Sequence, residues 1–246
     1  MNNTFNFNRF NKVLAYDWKR FIRNFGITLL VWISMPVMIW VTSLVFDFEL
    51  PAFVRLYILF FFVAITVMSA PSRIYGKVNL PREGVGFAML PAAGLEQFIS
   101  MFLYCSLVTP TLTLVGSWLV DCLMTLLPFG GFTEFIPVLD AFKNTSFGLF
   151  MAILVMLVTS TWAESSVFMF GNMMFKRRKA GKTFGWFLLI MFVLVLLLQL
   201  TDGWQVFEVI FSTDSIANLW IYSAIMLVIA CGFYFGTYRK IKTQKY

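Results

Sequence analysis

One carboxylate stands deep inside an apolar run. It is Glu164, in Thr159-Ser160-Thr161-Trp162-Ala163-Glu164-Ser165-Ser166. At ~1.5 Å per helical residue it lies roughly 18 Å from Lys176, near the middle of a bilayer. An ionisable group there costs about 2.5 kcal/mol or more unless it is neutralised or faces water. Glu164 is therefore expected to point into the protein interior. Two uses stay open. With Ser160, Thr161 and Ser165 it marks a polar spot on a substrate path or a helix contact, or it is a protonated, hydrogen-bonded group that only holds a bundle together. No basic residue lies at a span centre, so an intramembrane ion pair is not expected. An intramembrane enzyme using Glu164 has no further support: no carboxylate pair, no nucleophile with a base and no Gly-x-Ser-x-Gly elbow stands out.

Gly181-Lys182-Thr183 resembles the end of a phosphate-binding loop. The full pattern needs a glycine five positions before Gly181, and that position is Lys176. No strand precedes it and an apolar stretch follows at once, so no ATPase is expected in this chain. The chain has 0 histidines. That removes His-based triads and HExxH zinc sites. Cys105, Cys122 and Cys231 sit in separate apolar segments without metal-ligand spacing and are read as small apolar core residues. No catalytic residue, metal or cofactor is expected in the chain itself.

The elements that must position these residues are set by composition. Of the 246 residues, 60% are hydrophobic and 13% charged, with 30 Phe and 14 Met. A soluble domain carries roughly a quarter charged residues. A helix needs roughly 20 apolar residues to cross the hydrocarbon. The expected fold is all-α, a polytopic membrane protein with spans at 26–46, 52–70, 97–120, 146–174, 184–201 and 217–236. Pro36 and Pro110 fall inside spans and should kink them. No cleavable signal peptide is expected, since the N-terminus is polar and Asn-rich.

Residues 1–25 read as a cytoplasmic segment with an amphipathic interfacial helix. Phe10, Val13, Leu14, Trp18, Phe21, Ile22 and Phe25 fall on one side at helical spacing, and Lys12, Tyr16, Lys19 and Arg23 on the other. A cytoplasmic helix packed on a partner is the alternative. Residues 26–246 form the six-helix domain, with a cytoplasmic loop at 71–96, an outer loop at 121–145 and a cytoplasmic tail at 237–246. A small helix from Trp204 to Phe211 fits in the short connector at 202–216.

Charge fixes the expected orientation. Of the 19 lysines and arginines only Arg55 and Lys143 belong to the other side. The rest flank one set of span ends, which puts both termini in the cytoplasm of a cell (inner) membrane. Asp47, Glu49, Asp121, Glu134, Asp140, Asp202, Glu208 and Asp214 fall outside. The net charge of +7 therefore reflects topology and not nucleic-acid binding. Lys12, Lys19, Arg20, Arg23, Lys176, Arg177, Arg178 and Lys179 are read as interface cations touching anionic lipid headgroups.

The loop at 71–96 is too apolar for a solvated linker. Its end reads Arg82-Glu83-Gly84-Val85-Gly86-Phe87-Ala88-Met89-Leu90-Pro91-Ala92-Ala93-Gly94-Leu95-Glu96-Gln97-Phe98. This stretch resembles the segment between the second and third spans of ABC-2 type permeases, the membrane subunits of type V ABC transporters. Leu90, Pro91, Ala92, Glu96 and Phe98 match a Leu-Pro-Ala-Ser-x-x-Glu-Lys-Phe-like run; Ala93 and Gln97 depart from the commoner Ser and Lys. Gly171-Asn172-Met173-Met174-Phe175-Lys176 at the end of the fourth span and the overall layout are also similar to that family.

The resemblance implies two permease subunits, identical or sister, each docking a separate ABC ATPase that binds ATP and Mg. It implies a coupling helix in 71–96, here Arg82, Glu83, Phe87, Met89, Leu90 and Glu96, seated in a cleft of the ATPase, with the N-terminal helix beside it. It implies export, with an amphipathic or lipid-like cargo suggested by the Phe- and Met-rich bundle. The family often has a helical hairpin between the last two spans, and the short 202–216 connector departs from that. The competing function is a non-transporting membrane interaction protein, such as a sensor, immunity or assembly factor.

Overall fold

The structure is a computed structural model that describes residues 5–78, 93–127, 132, 135, 136, 146–200 and 216–243. Among the described residues six helical segments are long and apolar enough to cross a membrane, which makes the chain a multi-pass helical membrane protein. In chain order the helices are α1 (Phe7–Ile33), α2 (Met35–Phe46), α3 (Ala52–Ile74), α4 (Gly94–Phe102), α5 (Thr109–Thr125), α6 (Phe147–Met174), α7 (Lys179–Leu200) and α8 (Ile216–Thr243). A π-helical segment, Leu103–Val108, joins α4 to α5.

Local chemistry explains the helix ends. The Asn6 side chain caps α1 by accepting from the backbone N–H groups of Asn8 (2.9 Å) and Arg9 (3.4 Å). Proline marks both breaks expected in the spans. Pro36 sits in the first turn of α2, where a missing N–H costs nothing, and the helix changes course at Ser34. Pro110 has no N–H for the Ser106 carbonyl. The chain widens ahead of it into the π turn, and the Thr109 N–H and Oγ1 both bond the Tyr104 carbonyl.

The helices run past several expected limits. The boundary at residue 25 falls inside α1, which continues unbroken to Ile33. Pro71, read as loop punctuation, is buried in the last turn of α3. Residues 121–125 extend α5, and 237–243 continue α8 instead of forming a tail. Backbone hydrogen bonding inside the bilayer favours carrying a helix through to the interface. The small helix expected at Trp204 to Phe211 lies outside the described residues.

The bundle has two distinct ends. Arg9 at the start of α1 pairs with Glu96 at the start of α4, and Gly94 lies against Ile241 and Lys242 near the end of α8. Lys179 at the start of α7 meets Gly76 just beyond α3. One end therefore gathers Arg9, Arg73, Lys77, Lys176, Lys179 and Lys242. The opposite end holds Arg55 and Asp121, and Gly148 beside Ile216. The main apolar core lies toward the basic end, where Phe21, Phe25, Tyr75, Met101, Cys105, Met169 and Ile241 converge from α1, α3, α4, α6 and α8. A smaller cluster around Leu59 and Phe62 serves the other end.

The most extensive helix contact is between α6 and α8, which run parallel. Phe170 packs on Phe233 and on Gly236, where an added Cβ would fall 2.9 Å from the Phe170 ring. Helix α7 is the opposite case. Phe184, Trp186, Phe187, Leu188, Leu189 and Ile190 are all exposed in this single chain. It is moored to α6 through Thr183, whose side chain fills the space that a Cβ at Gly171 would need.

Candidate functional site

At the basic end, polar groups from four helices meet inside an otherwise apolar core. Asp17 of α1 is fully buried. Its Oδ2 accepts from Ser100 Oγ of α4 at 2.6 Å and from the Tyr75 hydroxyl beyond α3 at 3.0 Å. Arg20, one turn along α1, brings its guanidinium to 3.8 Å from Asp17 Oδ1. The same guanidinium lies over the rings of Tyr16 and Tyr75 at 5.3 and 5.7 Å. Asn172 Nδ2 of α6 donates to the Tyr75 carbonyl at 3.3 Å. The Tyr104 hydroxyl donates to the Leu14 carbonyl at 2.9 Å, so the π segment is tied to α1 as well.

Glu96 makes a second junction nearby. Its Oε1 accepts from the Asn6 backbone N–H at 2.8 Å and from Arg9 Nη2 at 3.0 Å. Its Oε2 reaches back to the Ala93 N–H at 3.0 Å, capping α4. The carboxylate is buried and both oxygens are engaged within the chain. That differs from the docking contact expected of it. Here it clamps the head of α1 to the head of α4. The other residues expected to couple to an ATPase, Arg82, Glu83, Phe87, Met89 and Leu90, lie outside the described residues.

The intramembrane polar stretch of α6 is partly assembled into a cluster. Ser165 Oγ lies 2.7 Å from Ser106 Oγ of the π segment, and the Tyr234 hydroxyl of α8 reaches Ser106 at 2.8 Å. Ser160 Oγ lies 3.3 Å from the Tyr222 hydroxyl. Thr161 instead donates back to the Leu157 carbonyl of its own helix. Glu164 does not join these hydroxyls. Its Oε1 is buried with no hydrogen-bond partner among the described residues. The sequence pointed to Ser165 and Ser160, but Ser106, Tyr222 and Tyr234 were missed, since each lies on another helix and reads as an ordinary core position. The cluster offers hydroxyl donors and acceptors near mid-span, suited to holding helices together or meeting a polar group. No His, Cys, Asp or Glu cluster able to hold a metal occurs among the described residues.

The expected interface cations divide. Lys12, Lys19, Arg23, Lys176, Arg177 and Arg178 are exposed. Arg20 and Lys179 are buried. Arg20 shares the inward face of α1 with Asp17, three residues away, whereas Trp18 and Ile22, expected on that face, point outward. Lys179 folds toward the C-terminal end of α3 and donates to the Gly76 carbonyl, where the helix dipole favours a cation. In the Gly181-Lys182-Thr183 run, Thr183 Oγ1 donates to the Lys179 carbonyl at 2.8 Å, and Lys182 Nζ lies 5.9 Å from the Phe175 ring centre.

At the opposite end Arg55 and Asp121, expected only as charges on the outer side, form a buried ion pair. Arg55 Nη1 lies 3.1 Å from both carboxylate oxygens of Asp121, and each side chain is 2% exposed. The Phe132 ring covers the guanidinium at 4.1 Å. The signal was a lone cation in the first turn of one span and a lone anion just past the expected end of the next. No known protein family, curated protein or solved structure matches the chain.

Proposed function

We propose that the chain is the membrane-spanning subunit of an ABC-2 type transporter, working with a separate ATPase to export an amphipathic or lipid-like substrate. The observation that carries this reading is the placement of Glu96. It ends the Leu90-Pro91-Ala92 run that resembles the family's coupling segment, and its carboxylate ties the head of α4 to the head of α1. A segment entering α4 beside such a clamp can pass a push to two helices at once. Asp17, bonded to Ser100 and Tyr75, would carry it on to α3. Rigid shifts of packed helices are the ordinary way such a push changes access between two sides of a membrane.

In this reading the basic end faces the cytoplasm, both termini lie there, and the first turns of α1 rest in the interface. The transport unit holds a second copy or a sister permease. ATP and Mg belong to the partner ATPase. Ser106, Ser165 and Tyr234, with Glu164 on the same helix as Ser165, are polar points beside the substrate path.

The test is docking. Replacing Phe87 and Leu90 together by Asp places charge in an apolar contact, which is costly to bury unpaired. The variant should stay in the membrane and lose its ATPase on purification. An ATPase retained by the variant would contradict the assignment of the coupling contact to the loop at 71–96. A non-transporting interaction protein would bring down no ATPase with either form.

A further inference from the structure

A shallow cavity of about 530 Å³, wide open to the surface, lies at the basic end between the last turn of α3 and the start of α7. Five cationic residues line it: Arg73, Lys77, Lys176, Arg178 and Lys179. No carboxylate is among its described lining residues. The cations come from two chain segments about a hundred positions apart in sequence, and the Lys179 contact with Gly76 brings those segments together. Like charges converge here through tertiary structure, and an anion held among them would be attracted by each.

We infer that this cavity binds a phosphate-bearing anion, with the headgroup of an anionic phospholipid the source its surroundings fit best. Three features give the chemistry. Two arginines offer planar forked donors that match phosphate oxygens, and the lysines add point charges. The backbone at Ala180 and Gly181 lies in the first turn of α7, where N–H groups have no intrahelical acceptor and the helix dipole is positive. The cavity also sits where a span leaves the apolar slab, and α7 continues from it with Phe184, Phe187 and Leu188 exposed. A headgroup in the cavity would lay its acyl chains along that face. The inference goes beyond the transport reading and does not depend on it.

The test uses the full chain purified in mild detergent, with native mass spectrometry of retained lipid. Dioleoyl phosphatidic acid is compared with dioleoyl phosphatidylcholine, and inorganic phosphate is tested separately by thermal shift. The cavity variant is Lys77→Ala with Lys176→Ala and Arg178→Ala, all exposed side chains whose loss leaves the core intact. The control is Arg239→Ala with Lys240→Ala, exposed near the end of α8 and outside the cavity. The expected result is preferential retention of phosphatidic acid, weakened at least about tenfold in the cavity variant and unchanged in the control. Stabilisation by inorganic phosphate that the cavity variant loses, without lipid preference, would keep the site and assign a free phosphate as its ligand. Equal binding by wild type and cavity variant, or no binding of either probe, would overturn the inference.

Discussion

Asp17 and Ser100 are 83 positions apart, yet they share a 2.6 Å hydrogen bond in the core of the bundle. The bond joins α1 to α4, and Tyr75 adds α3 to the same carboxylate. Removing the carboxylate by Asp17→Ala strands a buried hydroxyl pair and the neighbouring Arg20. The variant should lose about 2–3 kcal/mol of stability in detergent, and Asp17→Asn, which can still accept a hydrogen bond, should lose less. Chemical denaturation followed by tryptophan fluorescence would check this. Equal losses would mean that packing volume, and not hydrogen bonding, holds the junction.

Glu96 is the second tie between α1 and α4. Glu96→Ala removes acceptors from Asn6, Ala93 and Arg9. The expected cost is about 1 kcal/mol, in the range of a lost helix cap. Hydrogen exchange should rise at the first turns of both helices and stay unchanged at the Arg55 end. Faster exchange across the whole bundle would contradict a local clamp.

Arg55 and Asp121 are buried as a pair, so each single alanine variant leaves one charge behind. Each should cost about 3–5 kcal/mol, and the double variant less than the sum of the two. Thermal unfolding of the three variants gives the coupling directly. Strict additivity would mean that the two side chains act independently.

Helix α7 packs on α6 with a tight contact between Gly171 and Thr183. A Cβ at Gly171 would overlap Thr183 Oγ1 and fall 2.5 Å from its Cγ2. Gly171→Ala should therefore destabilise by about 1–3 kcal/mol. Thr183→Ala in the same chain deletes both of those atoms and should recover part of the loss. Absence of rescue would place α7 elsewhere.

Much of the architecture was legible because hydrophobic run length and proline position are local signals. The six spans, the break at Pro36 and the disturbance at Pro110 all follow from stretches of chain that need no partner to be read. The basic residues at alternate span ends were legible for the same reason. What was hidden depends on a second helix. Asp17 sits among lysines and arginines and looks like one more interfacial charge until Ser100 and Tyr75 are placed beside it. Arg20 and Lys179 looked like headgroup contacts because their buried acceptors, Asp17 and the Gly76 carbonyl, come from the inward face or from another element. Arg55 lies in the first turn of its span and Asp121 one residue past the expected end of the next, so apolar length alone gives neither a buried partner. Glu164 stands within a candidate span, but its neighbours Ser160 and Ser165 bond to Tyr222 and Ser106 and not to it.

The account turns on energy arriving from outside the chain. Affinity purification of the tagged protein from its native membrane, in mild detergent, tests that most directly. The predicted result is a soluble subunit with a complete phosphate-binding loop, recovered in stoichiometric amount and hydrolysing ATP. Recovery of the intact six-span protein with no such subunit, under conditions that preserve its fold, would contradict the account.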